Sequence, residues 1–412
     1  MSGPASGPPS PTASARHRDL IDLVGAEHVV MHDPHTWHLT PGTPAEIEAV
    51  VGYCAKERVA VTPLGSGARP SPPSSHVGQR DTVRIATKRL HHVLHLDETS
   101  LLAHVQAGVT GVGLERVLVP RGLSIGDYPP SVMQSTLGGI VAVRTPGKSS
   151  ARHGFFEDAV IGLSAVLGNG KLVHTRIAPR RASGPDLGRS LCGSEGTIGF
   201  ITSLVIRLHR RPEARFWAAY AMPSVNAAVG AVHLALREEA QPSGVRIYDA
   251  DEARVHFGDI GLADDAALLC AATAGPTDLA ACDANLIASA VAAEGGRVTD
   301  QALAELWWRR LHAGEQTPGP APTFEVMATP SKLRGMYHAV RAAVHASGGR
   351  ARAHISRFDA DGAIGFFTLE GQADPDVVSA AERAATRAGG WLLGARAARL
   401  DAYLDRLRQD LD

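Results

Sequence analysis

One glycine loop constrains this chain more than any other feature of its sequence. Ser194-Glu195-Gly196-Thr197-Ile198-Gly199 lies between Cys192-Gly193 and an apolar segment, Phe200 to Ile206, that predicts a strand. Glycine has no Cβ, so the backbone of such a loop can approach a ligand closely, while the hydroxyl and carboxylate groups beside it add polar contacts. A single loop of this kind is most often an ordinary turn. Here three other glycine- and hydroxyl-rich segments precede it, each beside a predicted strand, and together they favour a ligand site.

The order of these four segments resembles that of a known group of flavoproteins. The segments are Pro63 to Gly67, Ser131 to Gly139, Arg144-Thr145-Pro146-Gly147 with His153 to Asp158, and Gly193 to Gly199. This order is similar to the FAD domain of the vanillyl-alcohol-oxidase, or PCMH-type, flavoproteins. Within that group the chain most resembles the alkyldihydroxyacetonephosphate (alkylglycerone phosphate) synthases, from about Pro44 onward and most strongly from His104 to Pro212. The pattern is specific for FAD, but not for one reaction.

Composition sets broader bounds on function. The chain has 412 residues, a formal net charge of −1 at pH 7 and 44% hydrophobic residues, which is enough for more than one packed unit. The balanced charge gives no reason to expect nucleic acid or an anionic membrane surface as a partner. No apolar run approaches the roughly 18 residues of a membrane span. The four cysteines are far apart and form no CxxC, which is typical of a reduced, cytoplasmic protein.

The histidines raise the question of a metal site. His28, His32, His35 and His38 would share one face if they lay on a helix. Asp33-Pro34 interrupts them, and the residue before a proline is biased away from helix. Because no cysteine or HExxH motif accompanies them, we expect no metal.

Local signals predict several elements of the fold. Thr43-Pro44-Ala45-Glu46 has a capping residue, a proline in the first turn and a capping-box glutamate, so a helix should run from there to about Arg58. Asn169-Gly170 favours a tight turn, and predicts a hairpin between Val160 to Leu167 and Lys171 to Thr175. After Ala214, strands and helices mix in the manner of an α+β unit.

These signals predict an α+β fold class, and the resemblance implies a two-part PCMH-type FAD-binding domain and an α+β cap domain whose antiparallel sheet is flanked by helices. The predicted boundaries are residues 1–20 for a disordered tail, 21–213 for the FAD-binding domain, 214–373 for the substrate or cap domain, and 374–412 for C-terminal helices. The last of these helices is predicted from Ala398 to Asp410, and we expect the C-terminal helices to pack back on the FAD-binding domain.

The resemblance implies that FAD is bound across the first domain, with its reactive ring facing the cap. It implies non-covalent binding, since no His or Cys stands where relatives attach flavin. The pyrophosphate would lie on Gly65 to Arg69. The cofactor-binding residues implied are Pro63, Leu64, Gly65, Ser66, Gly67, Ala68, Arg69, Ser131, Ser135, Thr136, Gly138, Gly139, Arg144, Gly193, Ser194, Glu195, Gly196, Thr197, Ile198 and Gly199.

The chain departs from the FAD pattern at several hydroxyl positions. Ala68-Arg69 stand where the family has Thr-Ser, and Val143 and Pro146 replace a Thr and a Ser. Each lost hydrogen bond is worth about 1 kcal/mol, so FAD would bind more weakly unless Arg69 pairs with phosphate. A chain that has lost flavin altogether is therefore one alternative.

The residues specific to the synthases are mostly absent. Their histidine run is replaced by Trp391-Leu392-Leu393-Gly394, their active-site tyrosine falls near Gly365 or Phe367, and a loop histidine aligns with Asp127. Arg246 matches the family's substrate-binding arginine, and implies a grip on an anionic or carbonyl group above the flavin. Ether-lipid synthesis needs groups that move protons, so these losses argue against it.

The leading hypothesis is an FAD-dependent oxidoreductase, an oxidase or dehydrogenase acting on a small polar metabolite that carries a hydroxyl or amine. Its Ala/Arg/Gly-rich composition suggests a bacterial biosynthetic pathway. Electrons would pass to oxygen or a carrier, and a homodimer is one expected assembly. A redox-neutral transferase or lyase of synthase type, and a flavin-free protein on the inherited fold, remain alternatives. The candidate catalytic residues are Arg246, Asp127, Tyr128, Tyr248, Glu325 and His354.

Overall fold

The computed structural model describes most of the chain. The described residues are 11–67, 81–126, 128, 130–144, 150–178, 186–313, 323–370 and 375–393. The predicted features that lie outside them include residues 1–10 of the tail, Ala68, Arg69, Asp127, Thr145-Pro146-Gly147, Gly394 and the helix from Ala398 to Asp410.

The N-terminal part builds a four-stranded sheet with two helices. Its elements are α1 (Pro11–Val24), β1 (Val29–Asp33), β2 (Thr36–Leu39), α2 (Pro44–Lys56), β3 (Ala60–Leu64) and β4 (Thr82–Ala86). The strand order is β1-β2-β4-β3, and β4 runs parallel to both of its neighbours. The capping signal is confirmed, because the Thr43 hydroxyl accepts a hydrogen bond from the Glu46 amide at 3.1 Å. The four histidines predicted not to share a helix lie on or beside β1 and β2.

Helix α1 overturns the expected disordered tail over residues 11–20, while residues 1–10 of that predicted tail lie outside the described residues. Ala13 and Leu20 are buried in the same core as α2, and the Tyr53 hydroxyl donates to Asp19 at 2.9 Å. The Pro/Ser/Gly/Ala-rich composition at the start of the chain suggested disorder, although residues 11–24 include an apolar helix face. Burial of that face against the neighbouring elements stabilises the helix.

The second part of the FAD-binding domain is an antiparallel sheet of order β5-β6-β10-β8-β9. Its strands are β5 (Val93–Asp97), β6 (Leu102–Gln106), β8 (Val160–Leu167), β9 (Leu172–His174) and β10 (Gly199–Arg207). Around it lie α3 (Gly111–Leu118), α4 (Pro130–Met133), α5 (Leu137–Ala142), α6 (Ser150–His153), α7 (Leu187–Leu191) and the short pair β7 (Leu123–Ser124) and β11 (His209–Arg210). The predicted hairpin is present, with the Gly170 amide donating to the Leu167 carbonyl at 2.9 Å.

The cap is an eight-stranded antiparallel sheet of order β15-β12-β14-β13-β17-β18-β16-β19. Its strands are β12 (Ala214–Met222), β13 (Gly244–Asp249), β14 (Ala267–Gly275), β15 (Arg297–Val298), β16 (Thr323–Ala328), β17 (Arg350–Ser356), β18 (Ala363–Glu370) and β19 (Trp391–Leu392). Its helices are α8 (Val225–Arg237), α9 (Ala250–Phe257), α10 (Thr277–Ala293), α11 (Gln301–Ala313), α12 (Pro330–Ala346) and α13 (Pro375–Arg387).

The two faces of the cap sheet differ in what covers them. Helices α8, α10, α12 and α13 bury one face in the largest core, which includes Ile247, Ile355 and Phe367. Helices α9 and α11 pack on the other face, beside β12, β13 and β14. The part of that second face on β17, β18 and β16 carries the half-buried side chains of His354, Phe366 and Glu325.

The C-terminal elements differ from expectation over the described residues. Ala381 and Ala385 of α13 are buried in the cap core, and β19 pairs with β16, so α13 and β19 complete the cap instead of packing on the FAD-binding domain. The apolar side of α13 packs on the cap sheet. The periodicity of its sequence predicts an apolar side, but not the sheet on which that side packs. Over the part of the chain described, no helix is long and apolar enough to cross a membrane.

Candidate functional site

The predicted cofactor residues lie at the ends of strands and short helices. Pro63 and Leu64 end β3 and Gly65, Ser66 and Gly67 follow it; Ser131 lies in α4; Ser135 and Thr136 precede α5, which contains Gly138 and Gly139; Arg144 follows α5; and Gly193 to Ile198 lead to Gly199 at the start of β10. Ala68 and Arg69 are outside the described residues.

The first, second and fourth glycine segments meet. A Cβ atom on Gly65 would lie 2.7 Å from Oγ1 of Thr136, and a Cβ on Gly196 would lie 2.6 Å from Cγ of Pro63. Distances this short exclude a side chain at either position. Glycine at these two positions therefore lets the loops approach one another, whereas the sequence had suggested only a close approach to a ligand.

The third segment is tied to the fourth by hydrogen bonds. Nε of Arg144 donates to the Cys192 carbonyl at 3.0 Å, and the amides of Gly193 and Glu195 donate to the carbonyls of Val141 and Ala142 at 3.0 and 2.9 Å. In the structure, the Arg144 side chain thus supports the loop Gly193–Gly199.

Several hydroxyls predicted to contact the cofactor instead bind the backbone of their own loops. The Ser194 hydroxyl donates to the Leu191 carbonyl at 2.9 Å, and the Thr197 hydroxyl donates to the Ser194 carbonyl at 2.6 Å. Oγ1 of Thr136 caps α5 by accepting from the Gly139 amide at 3.3 Å. Their visible role is to shape the loops.

The loop after β3 fits a phosphate group. Gly65, Ser66 and Gly67 are exposed, and within the described part of the chain their amides donate no hydrogen bond. Consecutive free N–H groups on a glycine-rich turn form a concave anion-binding surface. The residues present therefore fit the pyrophosphate of FAD.

A row of side chains crosses the face of the cap sheet opposite the largest core, which we call the open face; at one end of the row, Tyr248 is buried there against α9. Tyr248 on β13 pairs with His354 on β17, which pairs with Phe366 on β18, which pairs with Glu325 on β16. Residues directly opposite each other in antiparallel strands project to the same face. We call these four residues the cap row.

Three of the predicted catalytic residues lie together at one end of the cap row. Nη1 of Arg246 donates to the Tyr248 hydroxyl at 3.4 Å, and the rings of Tyr248 and His354 are 5.9 Å apart. Burial raises the pKa of Tyr248 to about 12, so its hydroxyl stays neutral. Burial, and then the charge of Arg246, lowers the pKa of His354 to about 3, which keeps its imidazole uncharged.

Glu252 is the residue that sequence reasoning missed. Its buried carboxylate accepts from Nη1 of Arg352 at 2.5 Å, while Nε2 of His256 and Nδ1 of His354 lie 3.1 and 3.3 Å from its Oε1. Burial alone would raise the pKa of Glu252, but the hydrogen bonds with His256 and His354 hold it well below its usual range. The available signal was Asp249-x-x-Glu252, which predicts only a helix cap.

The other candidates lie apart from Arg246. Glu325 is at the far end of the cap row, 3.9 Å from Nη1 of Arg357, whose guanidinium lies over Phe366. Tyr128 packs edge-on against Phe156 in the FAD-binding domain. Asp127 is outside the described residues.

The FAD-binding domain contacts the cap beside Arg246. Helix α6, next to the third glycine segment, packs against β13, and Nη1 of Arg152 donates to the Ala274 carbonyl at the end of β14. The strand that carries Arg246 and Tyr248 therefore lies at the junction of the two domains. No cluster of three or more potential metal-ligating side chains occurs among the residues described.

Comparison with known proteins agrees with this architecture. Residues 38–176 match the FAD binding domain, and residues 211–393 match the C-terminal domain of FAD linked oxidases. Alkyldihydroxyacetonephosphate synthase of Dictyostelium discoideum is 32% identical over 241 residues, 58% of this chain and 39% of that protein. An uncharacterized FAD-linked oxidoreductase of Escherichia coli K12 is 28% identical over 276 residues, 66% of this chain and 56% of that protein.

A solved structure supports the fold over nearly the whole chain. An alkyldihydroxyacetonephosphate synthase superposes with a TM-score of 0.77 at 20% identity, covering 99% of this chain and 85% of that chain. The sequence match spans only about two fifths of the length of the curated Dictyostelium synthase. The two matches show that the chain consists of an FAD binding domain followed by a C-terminal domain of the FAD linked oxidase type, and that FAD is its cofactor.

Proposed function

We propose that this protein is an FAD-dependent oxidoreductase that oxidises a small polar metabolite. The observation that carries the proposal is the cluster of Arg246, Tyr248 and His354 on the open face of the cap sheet, where β13 meets the FAD-binding domain. When bound, FAD supplies an acceptor for the two electrons and the hydrogen that leave the substrate carbon.

The residues divide between cofactor and substrate. The amides of Gly65 to Gly67 would hold the pyrophosphate, non-covalently, and the glycines at Gly65 and Gly196 let the loops close around it. Arg246 would bind an anionic or carbonyl group of the substrate, because its guanidinium presents a fork of donors with a permanent charge. Tyr248 supports Arg246 from one side through its hydroxyl and ring.

A redox-neutral synthase-type reaction is the second candidate, and the identity to alkyldihydroxyacetonephosphate synthases favours it. Against it, the chain has Trp391-Leu392-Leu393 where the resemblance places the synthases' histidine run. None of these three residues carries an imidazole, and Trp391 pairs with Met327 at the edge of the cap sheet.

The experiment is anaerobic reduction of the purified protein. Flavin absorption bands at roughly 370 and roughly 450 nm identify the cofactor. Lactate, glycerate, glycerol 3-phosphate and small amines are then added in turn, and bleaching at the longer wavelength marks oxidation. Oxygen consumption in air shows whether oxygen or another carrier takes the electrons.

Two arginine variants locate the substrate site. Arg246→Ala should keep bound FAD and lose most bleaching, whereas Arg237→Ala, an exposed arginine at the end of α8, should behave as wild type. Equal bleaching rates in Arg246→Ala and wild type would contradict the assignment. Substrate exchange without bleaching or oxygen uptake would favour the redox-neutral candidate.

A further inference from the structure

Glu252 is a buried carboxylate beside His354 that does not itself bind the substrate in the proposed oxidation. Its side chain is 1% exposed, and its contact with Arg352 forms a buried ion pair. A carboxylate paired in this way is ionised, and an ionised carboxylate only accepts hydrogen bonds. Both imidazole nitrogens beside Oε1, Nε2 of His256 and Nδ1 of His354, must therefore carry hydrogen.

This requirement fixes the tautomer of His354. With hydrogen on Nδ1, the neutral ring keeps its lone pair on Nε2. Nε2 makes no hydrogen bond with any residue the structure describes. Phe366 stacks on the ring with centroids 4.6 Å apart and planes 10° apart, so the ring is held from its face as well as from Nδ1.

His354 shares its face of the sheet with a cation, Arg246. Tyr248 is in register with His354 and hydrogen-bonded to Arg246, while Arg246 itself pairs with Ser356, two residues along β17 from His354. Alternate residues of a strand project to the same face, so Arg246 and His354 share the open face of the sheet. A substrate anion on Arg246 would place an adjacent hydroxyl beside the imidazole.

We propose that Glu252 positions His354 as the proton acceptor for a small hydroxylated anion whose charge is bound by Arg246; this rests on the proposed oxidation. In the step, the substrate O–H bond breaks and an Nε2–H bond forms on His354. The carbon–oxygen bond becomes a carbonyl as the hydrogen on that carbon leaves with its electron pair to the acceptor that FAD supplies. Glu252 stabilises the imidazolium that results, and the bound substrate anion offsets the adjacent charge of Arg246, which disfavours that imidazolium before substrate binds.

The first test reads the tautomer without any turnover. In protein labelled with ¹⁵N-histidine, two-bond ¹H–¹⁵N spectra should show His354 protonated at Nδ1, with His354→Gln assigning the signal. In Glu252→Gln the single amide oxygen goes to Arg352 and the NH₂ group faces the imidazoles. Nδ1 of His354 must then accept, so the proton should move to Nε2. A wild-type His354 protonated at Nε2 and not at Nδ1 overturns the proposal.

The second test measures the rate of flavin reduction by lactate, glycerate and glycerol 3-phosphate in stopped flow. Glu252→Gln and His354→Gln should each slow reduction by roughly 10²- to 10⁴-fold, the usual contribution of a general base. The double variant should be no slower than either single variant, since the two residues act as a unit. His256→Gln, which removes another partner of the same carboxylate, should change the rate less than about threefold.

The failures are distinguishable. A wild-type flavin that none of these anions reduces overturns the oxidation itself. Wild-type reduction that Glu252→Gln leaves unchanged overturns only the role of Glu252. His354→Gln preserves the Glu252–Arg352 pair, so it tests the proton acceptor even where Glu252→Gln fails to fold.

Discussion

Replacing Gly196 by alanine tests whether the glycine loops must touch. Gly196 has a φ of 80°, and a Cβ there would lie 2.6 Å from Cγ and 3.1 Å from Cδ of Pro63. The left-handed backbone costs an alanine about 1–2 kcal/mol, and forcing a carbon against the proline ring costs roughly 1–3 kcal/mol more. We therefore expect a loss of about 2–5 kcal/mol in the free energy of unfolding, measured by denaturant titration without added FAD.

The same variant should bind FAD more weakly, because the loop relieves the overlap by moving away from β3. Each 1.4 kcal/mol of binding free energy lost through this displacement lowers the affinity for FAD about tenfold, as measured by FAD titration. Gly122→Ala is the matched control in the same domain. Its φ is 67°, and no atom of the described residues lies within 4 Å of the added carbon, so it incurs the backbone cost alone. Equal losses of stability and affinity in the two variants would refute the contact argument.

Three further changes follow from the same contacts. Thr136→Ala removes the N-cap of α5 and should cost about 1 kcal/mol in the free energy of unfolding, while Thr136→Ser should restore it; an unchanged denaturation midpoint in the alanine variant would contradict the cap. Arg246→Lys keeps the charge but loses the planar fork, so the KM for an oxidised anion should rise at least about tenfold with FAD affinity unchanged, and an unaltered KM would argue against direct binding. Because the pKa of His354 is lowered to about 3 by burial and then by Arg246, the unfolded chain binds a proton between about pH 3 and 6.5 that the folded chain does not. Stability should therefore fall as pH falls through this window, and His354→Gln should flatten the decline in Tm, whereas parallel Tm profiles would count against a buried neutral imidazole.

The glycine loops could be predicted from the sequence because their constraint is local. A residue that can accept no Cβ must be glycine wherever it occurs, so Gly65 and Gly196 are visible in the sequence before the partners that exclude a side chain are known. The identity of those partners, Thr136 and Pro63, follows from the packing of separate elements. Their hydroxyl neighbours were less predictable, because a serine or threonine in a loop can bind a ligand or its own backbone with similar geometry.

The cap could be predicted only in outline. The family resemblance singled out Arg246, and residue type singled out Tyr248 and His354, but their meeting depends on the pairing of β13 with β17, which lie far apart in the chain. The pairing register between distant strands is set by the whole sheet. A shift of one residue in a strand would move its side chains to the face covered by α8, α10, α12 and α13. Glu325 illustrates the limit, since it shares the cap row yet lies at its other end.

Glu252 shows why a buried charge escapes sequence reasoning. In the sequence it completes a helix start, and its amide does donate to Oδ1 of Asp249 at 2.8 Å. Its carboxylate, however, faces Arg352, which lies on a strand that the local pattern does not connect to α9. Burying a charge is costly unless partners surround it, so the ion pair becomes apparent only when the tertiary structure is known.

The cap row also explains how this chain can differ from the synthases it resembles. The resemblance places the synthases' tyrosine near Gly365 or Phe367, and in this structure the intervening Phe366 projects onto the open face beside His354. A phenylalanine carries no hydroxyl, so it cannot transfer a proton; instead it stacks on His354. In the proposed oxidation, the proton acceptor on this face is instead Nε2 of His354, oriented by Glu252 through Nδ1. A site with one oriented base, one anion-binding arginine and an adjacent FAD-binding domain has the groups that oxidation of a hydroxylated anion requires, without the histidine run of the synthases.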